Sequence, residues 1–247
     1  MKATERHHLK ENEVAGWLLG AGEWFESNRN LIVYGGIAIA LIAVAVGGTL
    51  AYRTMEAGKA TAMLAEAMSV AEAAVVPPAA AEPGKTPVQP AGTYPSDRAR
   101  LEAALPKLMA VADAYPASDA GVIGRYRAAA ALVALGKTAE GIQRYQDVVA
   151  KGQGIYQVMA RLGIAEAQVR AGQFDQAIAS YKEVAALNAE DAPADGVLMQ
   201  LARAYRLAGK ADEAKKTFKR VADEFPQSPY AAAARREIDA DAPVANQ

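Results

Sequence analysis

A run of 22 residues from Leu31 to Tyr52, LIVYGGIAIALIAVAVGGTLAY, contains no charged side chain. A helix rises about 1.5 Å per residue, so a helix of this length covers the roughly 30 Å hydrocarbon core of a bilayer. It also satisfies its own backbone hydrogen bonds, which lipid cannot do for it. A buried helix of a soluble protein is usually shorter and carries a polar stripe. The run therefore predicts a single transmembrane helix over residues 31–52.

The flanks of this run predict an uncleaved anchor with a cytoplasmic N-terminus. A signal peptide has an apolar run of about 7–15 residues, whereas here a longer run follows 30 residues of tail. Lys and Arg are more frequent on the cytoplasmic side of a span. The first 30 residues contain four and the next 30 after the span contain two, although within 15 residues of the span the bias is reversed: Lys2, Arg6, Lys10 and Arg29 before it, and Arg53 and Lys59 after it.

Aromatic residues surround the predicted span. Both tryptophans, Trp17 and Trp24, lie just before it, and Tyr34 and Tyr52 lie near its ends. Such side chains favour the headgroup region. We therefore expect residues 1–30 to be a tail with an interfacial helix, or a helix that docks on a membrane partner. The predicted membrane-interface residues are Trp17, Trp24, Tyr34 and Tyr52.

Small residues in the span leave open an oligomer formed through it. Gly35, Gly36, Gly47 and Gly48 would permit close packing against another span. Gly is also common in membrane helices that form no such contact.

Composition restricts the chemistry of the rest of the chain. Residues 53–247 are rich in Ala, Leu, Glu, Lys, Arg and Gln, which favours an all-α fold. The net charge of −1 argues against a nucleic-acid partner. The chain has no cysteine, which excludes disulfides and thiolate sites, and its two histidines are adjacent in the tail, too few for a metal site. We expect no cofactor, no metal and no enzymatic activity.

Proline divides the region after the span. A helix over residues 53–76 is followed by a linker, residues 77–95, that contains six prolines and cannot continue a helix. Ser96 and Asp97 are typical of a helix N-terminus, and that helix is expected to stop at Tyr115 and Pro116. Residues 96–240 are predicted to be helical almost throughout, with a short final helix over residues 230–238, and residues 241–247 to be a disordered tail.

An internal repeat predicts the fold of residues 96–240. The segments GKTAEGIQRY, GQFDQAIASY and GKADEAKKTF begin at Gly136, Gly172 and Gly209, so the copies are 36 and 37 residues apart. Each Gly would end the first helix of a hairpin, small residues would lie where the two helices cross, and the aromatic would fill the gap to the next hairpin. One hairpin cannot bury its apolar face alone, so the hairpins must stack.

These residues resemble the tetratricopeptide repeat. The middle copy departs from the pattern at Gln168, and the first copy departs at Leu132 and Gly141. ADAYPAS at 112–118 mirrors ADEFPQS at 222–228, so residues 97–114 are interpreted as the second helix of an earlier repeat whose first helix lies in 53–76. The last copy matches the pattern at Leu198, Leu201, Ala202, Tyr205, Gly209, Ala214, Phe218 and Pro226.

The order of tail, span and repeats resembles the ancillary subunit of the bacterial Sec translocon. This resemblance implies a scaffold of the inner membrane that meets other proteins, such as exported clients or periplasmic chaperones. The segment from Phe225 to Ile238 is also similar to envelope tetratricopeptide proteins of cell division and outer-membrane assembly. A further alternative is a structural subunit held in a larger membrane complex by its span and its tail.

The inner face of a tetratricopeptide array, built from the first helices, is its usual binding surface. The Lys/Asn/Arg clamp with which some members bind acidic chain termini is absent here, because the corresponding positions of the first two repeats are mostly apolar. We expect an apolar groove with a basic edge that takes a partner helix or peptide. The predicted partner-binding residues are Tyr126, Met159, Leu162, Arg170, Met199, Arg203 and Arg206.

Overall fold

The fold is all-α, as the composition predicts. A computed structural model describes residues 24, 26–77, 89–152, 154–187 and 193–240. Within these ranges the chain forms one isolated β-bridge and nine helices, namely α1 (Arg29–Ala71), α2 (Asp97–Ala114), α3 (Asp119–Ala134), α4 (Thr138–Lys151), α5 (Ile155–Arg170), α6 (Phe174–Ala185), α7 (Ala194–Leu207), α8 (Ala211–Glu224) and α9 (Ala231–Ala240). Trp17, most of the proline-rich linker and the predicted tail 241–247 lie outside the described residues.

The chain divides into two compact units, residues 1–56 and residues 57–247. In the first unit, the large apolar side chains of the predicted span are exposed, from 50% at Val33 to 73% at Val44. The most apolar window of α1 has a mean hydropathy of 2.4 and no buried residue. Within the described ranges, α1 is the one helix whose length and composition would allow it to cross a membrane.

In the second unit, the end of α1 packs against α2. Ala60 and Ala67 are buried in a cluster with Leu108 of α2. The Glu66 carboxylate accepts a hydrogen bond from the Lys107 ammonium at 2.5 Å. This contact confirms the prediction that residues 97–114 pair with a helix located before the proline-rich segment.

Two contacts close the base of the proline-rich segment. The Val76 amide donates to the Tyr94 carbonyl at 2.9 Å, and the Tyr94 amide donates to the Ala74 carbonyl at 3.0 Å. The Arg100 guanidinium also donates to the Ala73 carbonyl at 3.2 Å. The helix of the interval 53–76 ends at Ala71, and the chain then pairs with the residues that precede α2.

Serine side chains fix the starts of α2 and α3. The Ser96 hydroxyl accepts a hydrogen bond from the Ala99 amide at 3.2 Å, and the Ser118 hydroxyl accepts one from the Gly121 amide at 3.1 Å. Each bond satisfies an amide that has no partner inside its helix. The predicted start of α2 at Ser96 is confirmed, and α2 ends at Tyr115 as expected.

The repeated glycines end the first helix of each hairpin. Gly136, Gly172 and Gly209 have φ angles of 84°, 72° and 73°. The amide after each glycine bonds to a carbonyl five residues earlier, for example Lys210 to Tyr205 at 2.9 Å. This bond pattern is the Schellman motif, whose left-handed residue is normally Gly because a β-carbon would be strained there.

The remaining repeat positions build the core between hairpins. Ala129, Ala165 and Ala202 are all 0% exposed, which confirms small residues at the helix crossings. A β-carbon at Gly163 would lie 2.5 Å from Cζ of Tyr145, so the aromatic side chain packs directly on the backbone of α5. Tyr181 and Phe218 occupy the equivalent aromatic positions of the next two repeats and are 2% and 0% exposed.

The helix α9 closes the array, as the predicted final helix would. Ala231 and Ala234 of α9 are buried against α8 and its neighbours. In the turn that leads to α9, the Ser228 hydroxyl donates to the Asp195 carboxylate of α7 at 2.6 Å. This turn therefore covers the N-terminal end of α7.

Candidate functional site

The inner face is formed by α3, α5 and α7, the first helices of the three hairpins. Three of the predicted partner-binding residues, Tyr126, Met159 and Leu162, are half-buried on α3 and α5. Leu162 also packs against the core cluster of the last two repeats. The apolar part of the predicted groove is therefore largely a seam between neighbouring hairpins, with limited free surface.

A cluster of three tyrosines lies on the first half of this face. The ring of Tyr126 is 5.5 Å from the ring of Tyr145 and 5.9 Å from that of Tyr156, measured between centroids. Both pairs are tilted, which is a favourable geometry for aromatic rings. Tyr126 and Tyr156 are half-buried and Tyr145 lies beneath them, so the cluster offers ring faces and edges to a partner.

The phenols of this face stay protonated at neutral pH. Burial raises the pKa of Tyr126, and the Glu166 carboxylate raises it further. Burial also raises the pKa of Tyr145 and of Tyr181, and Glu166 adds to both shifts. A raised phenol pKa leaves hydrogen-bond donors and gives no general base or nucleophile at physiological pH.

A cavity of about 270 Å³ between α5 and α7, here called the inner well, brings together two of the three predicted arginines. Arg170 and Arg203 both line it, and neither has a salt-bridge partner among the described residues. One carboxylate, Glu166, shares the well, so its lining carries one net positive charge. The full lining is Glu166, Val169, Arg170, Tyr181, Gln200, Arg203, Ala204 and Leu207.

The prediction that Arg206 belongs to the same basic edge is wrong. Its guanidinium forms an ion pair with the Glu237 carboxylate of α9, and its second terminal nitrogen lies 3.5 Å from the other carboxylate oxygen. Its Cζ also lies 5.7 Å from the ring centroid of Phe218. Arg206 therefore joins the closing helix to the array, because the next element along the chain packs on that side of α7.

The prediction that Met199 lines the groove is also wrong. Its side chain is 0% exposed and belongs to the core cluster of the last two repeats. Asp195 and Gly196, one turn earlier on α7, face Ser228 and Tyr230 of the turn before α9. This end of α7 is therefore covered, and Met199 has no free surface to offer a partner.

Sequence reasoning missed Gln200 and Leu207, which line the inner well beside Arg203. Their spacing from Arg203, three residues before and four after, places all three on one helical face and could have identified them. Leu207 is 53% exposed, the most accessible large apolar side chain of the well.

Sequence reasoning also missed a second cavity on this face, of about 500 Å³, among α1, α2 and α3. Arg127 and Ala130 of α3 line it at positions that are 73 residues, two repeat lengths, before Gln200 and Arg203 of the inner well. Arg98 and Arg100 of α2 add two further guanidinium groups. Its signal in the sequence was the same helical spacing, carried into the irregular first repeat.

The predicted membrane-interface residues that the structure describes are solvent-accessible. Trp24 is 61% exposed, Tyr34 is 70% exposed and Tyr52 is 63% exposed. Trp17 lies outside the described residues. Their role at a membrane remains a prediction. Within the described ranges, no group of three or more His, Cys, Asp or Glu side chains is placed to hold a metal ion.

Two family models of the tetratricopeptide repeat match the chain, at residues 126–192 and 168–238. Residues 126–238 are tetratricopeptide repeats. Such repeats mediate contacts between proteins and are typically non-enzymatic, so protein partners are the expected ligands of the inner face.

Two solved structures are similar over the helical region, and both have TPR-like repeats. One is a putative kinesin light chain from Podosopora anserina and the other is a variant of that protein with one substitution. Each is 21% identical, with a TM-score of 0.48, and the alignment covers 56% of this chain and 76% of that one. No curated protein matches the sequence.

Proposed function

We propose that this chain is a membrane-anchored scaffold of the bacterial cell envelope that binds other proteins through its repeats. One observation carries the proposal: a helix with an exposed, uncharged run long enough to span a bilayer lies in the same chain as tetratricopeptide repeats. Water is a poor solvent for such a surface, and apolar patches of this extent mark contacts with lipid or protein. The bilayer is the partner that matches its length.

The proposed location is the inner membrane, with a single span, a cytoplasmic N-terminus and a periplasmic repeat region. The distribution of Lys and Arg over the two flanks supports this orientation. The absence of cysteine from the sequence is compatible with an oxidising compartment. The roles that suit this arrangement are an ancillary translocon subunit, a member of a periplasmic chaperone network, or a coordinator of cell division or outer-membrane assembly.

The inner well defines the chemistry of the proposed partner. Arg170 and Arg203 lie around one small cavity without salt-bridge partners in the described part of the chain. A carboxylate of a partner segment would form charge-assisted hydrogen bonds with them, while an apolar side chain would cover Leu207. The partner is therefore expected to present an acidic segment to the inner face.

Topology and binding are tested together in cells that express the full chain. After carbonate extraction the protein should stay in the membrane pellet, and protease should digest the repeats in spheroplasts but not in intact cells. A photo-crosslinking residue at Gln200 should capture partners, and Arg170→Glu with Arg203→Glu should abolish those crosslinks. Lys215→Glu with Lys219→Glu, an equal charge change on exposed positions of α8, is the control. Extraction by carbonate would overturn the anchoring, and crosslinks that survive the arginine changes would overturn the inner-well contact.

A second candidate function is a structural subunit that is held in a membrane complex by its span. It is favoured by the open surface of the glycines in α1, since a β-carbon at Gly35, Gly36, Gly47 or Gly48 would meet nothing within 4 Å. Replacing residues 31–52 with an unrelated apolar span separates the two functions. A scaffold keeps its crosslinked partners after this exchange, whereas a subunit held by its span loses the complex.

A further inference from the structure

The second helices of the hairpins, α4, α6 and α8, form an outer face that carries two grooves at equivalent positions. The upstream outer groove lies between α4 and α6, and the downstream outer groove lies between α6 and α8. Each position of one groove corresponds to the residue 36 or 37 places later in the other. The corresponding pairs are Gln146 and Lys182, Val149 and Ala185, Ala150 and Ala186, Arg161 and Leu198, Ile164 and Leu201, Ser180 and Thr217, and Glu183 and Arg220.

The upstream outer groove neutralises its own charges. Its volume is about 280 Å³, and its two charged residues face each other across it. The Arg161 guanidinium lies 3.7 Å from the Glu183 carboxylate. The remaining polar lining, Gln146 and Ser180, is uncharged, so this groove presents no net charge to a partner.

The downstream outer groove has lost that ion pair and gained positive charge. Leu198 replaces the arginine and Arg220 replaces the glutamate, so the cross-groove pair cannot form. Lys182 stands where the upstream groove has Gln146, and Lys216 also lines the cavity. The groove is larger, about 390 Å³, and its lining has three cations against one carboxylate, that of Glu213.

The cations form a rim around an apolar floor. Leu198, Leu201 and Tyr205 are 3%, 5% and 9% exposed, so their accessible atoms lie at the bottom of the groove. The Lys182 ammonium lies 5.6 Å from the centroid of the Tyr205 ring, which holds this charge over the floor by a cation–π contact.

The two other cations of the rim differ in their partners. Arg220 is bound by the Glu224 carboxylate at 2.8 and 3.1 Å, which neutralises part of its charge. Lys216 has no salt-bridge partner among the described residues and is exposed. Lys182 and Lys216 are therefore the two charges most available to a ligand.

We propose that the downstream outer groove is a second binding site, which takes an acidic amphipathic segment of a partner protein. Carboxylates of that segment pair with Lys182 and Lys216, and an apolar side chain enters between them to cover Leu198 and Tyr205. Charge complementarity selects this occupant, since the same fold one repeat earlier keeps its charges balanced within itself. The site lies on helices other than those of the inner face, so the chain can hold two partners at once.

The test measures binding of a fluorescent synthetic peptide to the full chain in a neutral detergent. The peptide is a helix of about four turns, with Glu on one face and Leu and Phe on the other, and a matched peptide has Gln in place of every Glu. Lys182→Glu with Lys216→Glu should weaken binding of the acidic peptide at least about tenfold. The matched control is Gln146→Glu with Ala179→Glu, which adds the same side chains at the equivalent upstream positions, and it should leave the affinity unchanged.

Four results would overturn the proposal. The two variant pairs weaken binding equally, the Gln peptide binds as tightly as the acidic one, or the inner-face pair Arg170→Glu with Arg203→Glu abolishes binding of the probe instead. In the fourth, sedimentation shows a dimer that Lys182→Glu with Lys216→Glu dissociates, which would assign a second copy of the chain to the groove. All substituted positions are exposed or line the inner well, and circular dichroism checks that every variant keeps its helices. The inner-face contact stands or falls on its own crosslinks, so failure here leaves it untouched.

Discussion

The apolar part of α1 and the helices of the repeats meet the cost of apolar surface in different ways. In residues 31–52 the large apolar side chains are at least half exposed, whereas Tyr181 and Phe218 in the repeats are 2% exposed or less. A repeat helix has one apolar face, which the next hairpin of the same chain covers. The run in α1 is apolar on every side, so it needs a surrounding medium or a partner that the described part of the chain does not supply.

The contrast also falls within α1 itself. Ile42 is 63% exposed, whereas Ala60, five turns later, is completely buried against α2. Ala60 and Ala67 are seven residues apart and so lie on one face, as expected where a helix packs on one neighbour. One continuous helix thus changes from a uniformly apolar surface to a one-sided one, and the boundary between the two compact units, after Glu56, lies between these parts.

The largest expected effect breaks the membrane side of this comparison. Ile39→Arg with Ile42→Arg places two charges at the middle of the proposed span, at a cost of about 2.5–3.5 kcal/mol per residue in membrane insertion. The full chain should then move from the membrane pellet to the soluble or aggregated fraction after carbonate extraction. Ala57→Arg with Thr61→Arg adds the same charges at exposed positions beyond the span and should leave the protein in the pellet. Equal retention of both variants would remove the case for a span at 31–52.

A smaller effect is expected from an equivalent test of the repeats. Phe218→Ala removes a ring that is 0% exposed and should lower the free energy of unfolding of the repeats by about 3–5 kcal/mol. Ile42→Ala removes a side chain that makes no core contact and should change the same quantity by less than about 0.5 kcal/mol. Urea unfolding of the full chain in detergent, followed by circular dichroism, measures both. Similar losses from the two substitutions would mean that the run 31–52 is part of the folded core.

The smallest effect concerns the contact by which the end of α1 is joined to α2. The Lys107 ammonium lowers the pKa of the Glu66 carboxyl below its ordinary value of 4.5, through its hydrogen bond and then its charge. A carboxyl with a lowered folded-state pKa stabilises the fold above its ordinary pKa, and this contribution is lost as the pH falls through the lowered value. Thermal melts should show wild type above Glu66→Gln at pH 7 and no difference once the pH is below both values. Adding Lys107→Met to Glu66→Gln should cause no further loss at neutral pH, and a further loss would show that Lys107 acts elsewhere.

The repeat was predictable because its signals are local. Gly136, Gly172 and Gly209 are needed by a left-handed turn, and Ala165 and Ala202 by close helix crossings, so residue type alone places them. The exact placement of the binding residues was less predictable. Arg170 and Arg203 were correctly assigned to one edge, because they occupy neighbouring positions of successive first helices.

The sequence by itself determined the length of the apolar run, the period of the hairpins and the residues that end and cross each helix. These features depend on contacts within one helix or one hairpin, whose geometry is nearly constant. Only the tertiary structure decided that Met199 is buried, that Arg206 belongs to Glu237, and that Leu198 and Arg220 leave an open groove where Arg161 and Glu183 close one. Those outcomes depend on which element packs next to a helix. A helical period fixes the direction of a side chain about its own axis, but not what lies opposite it.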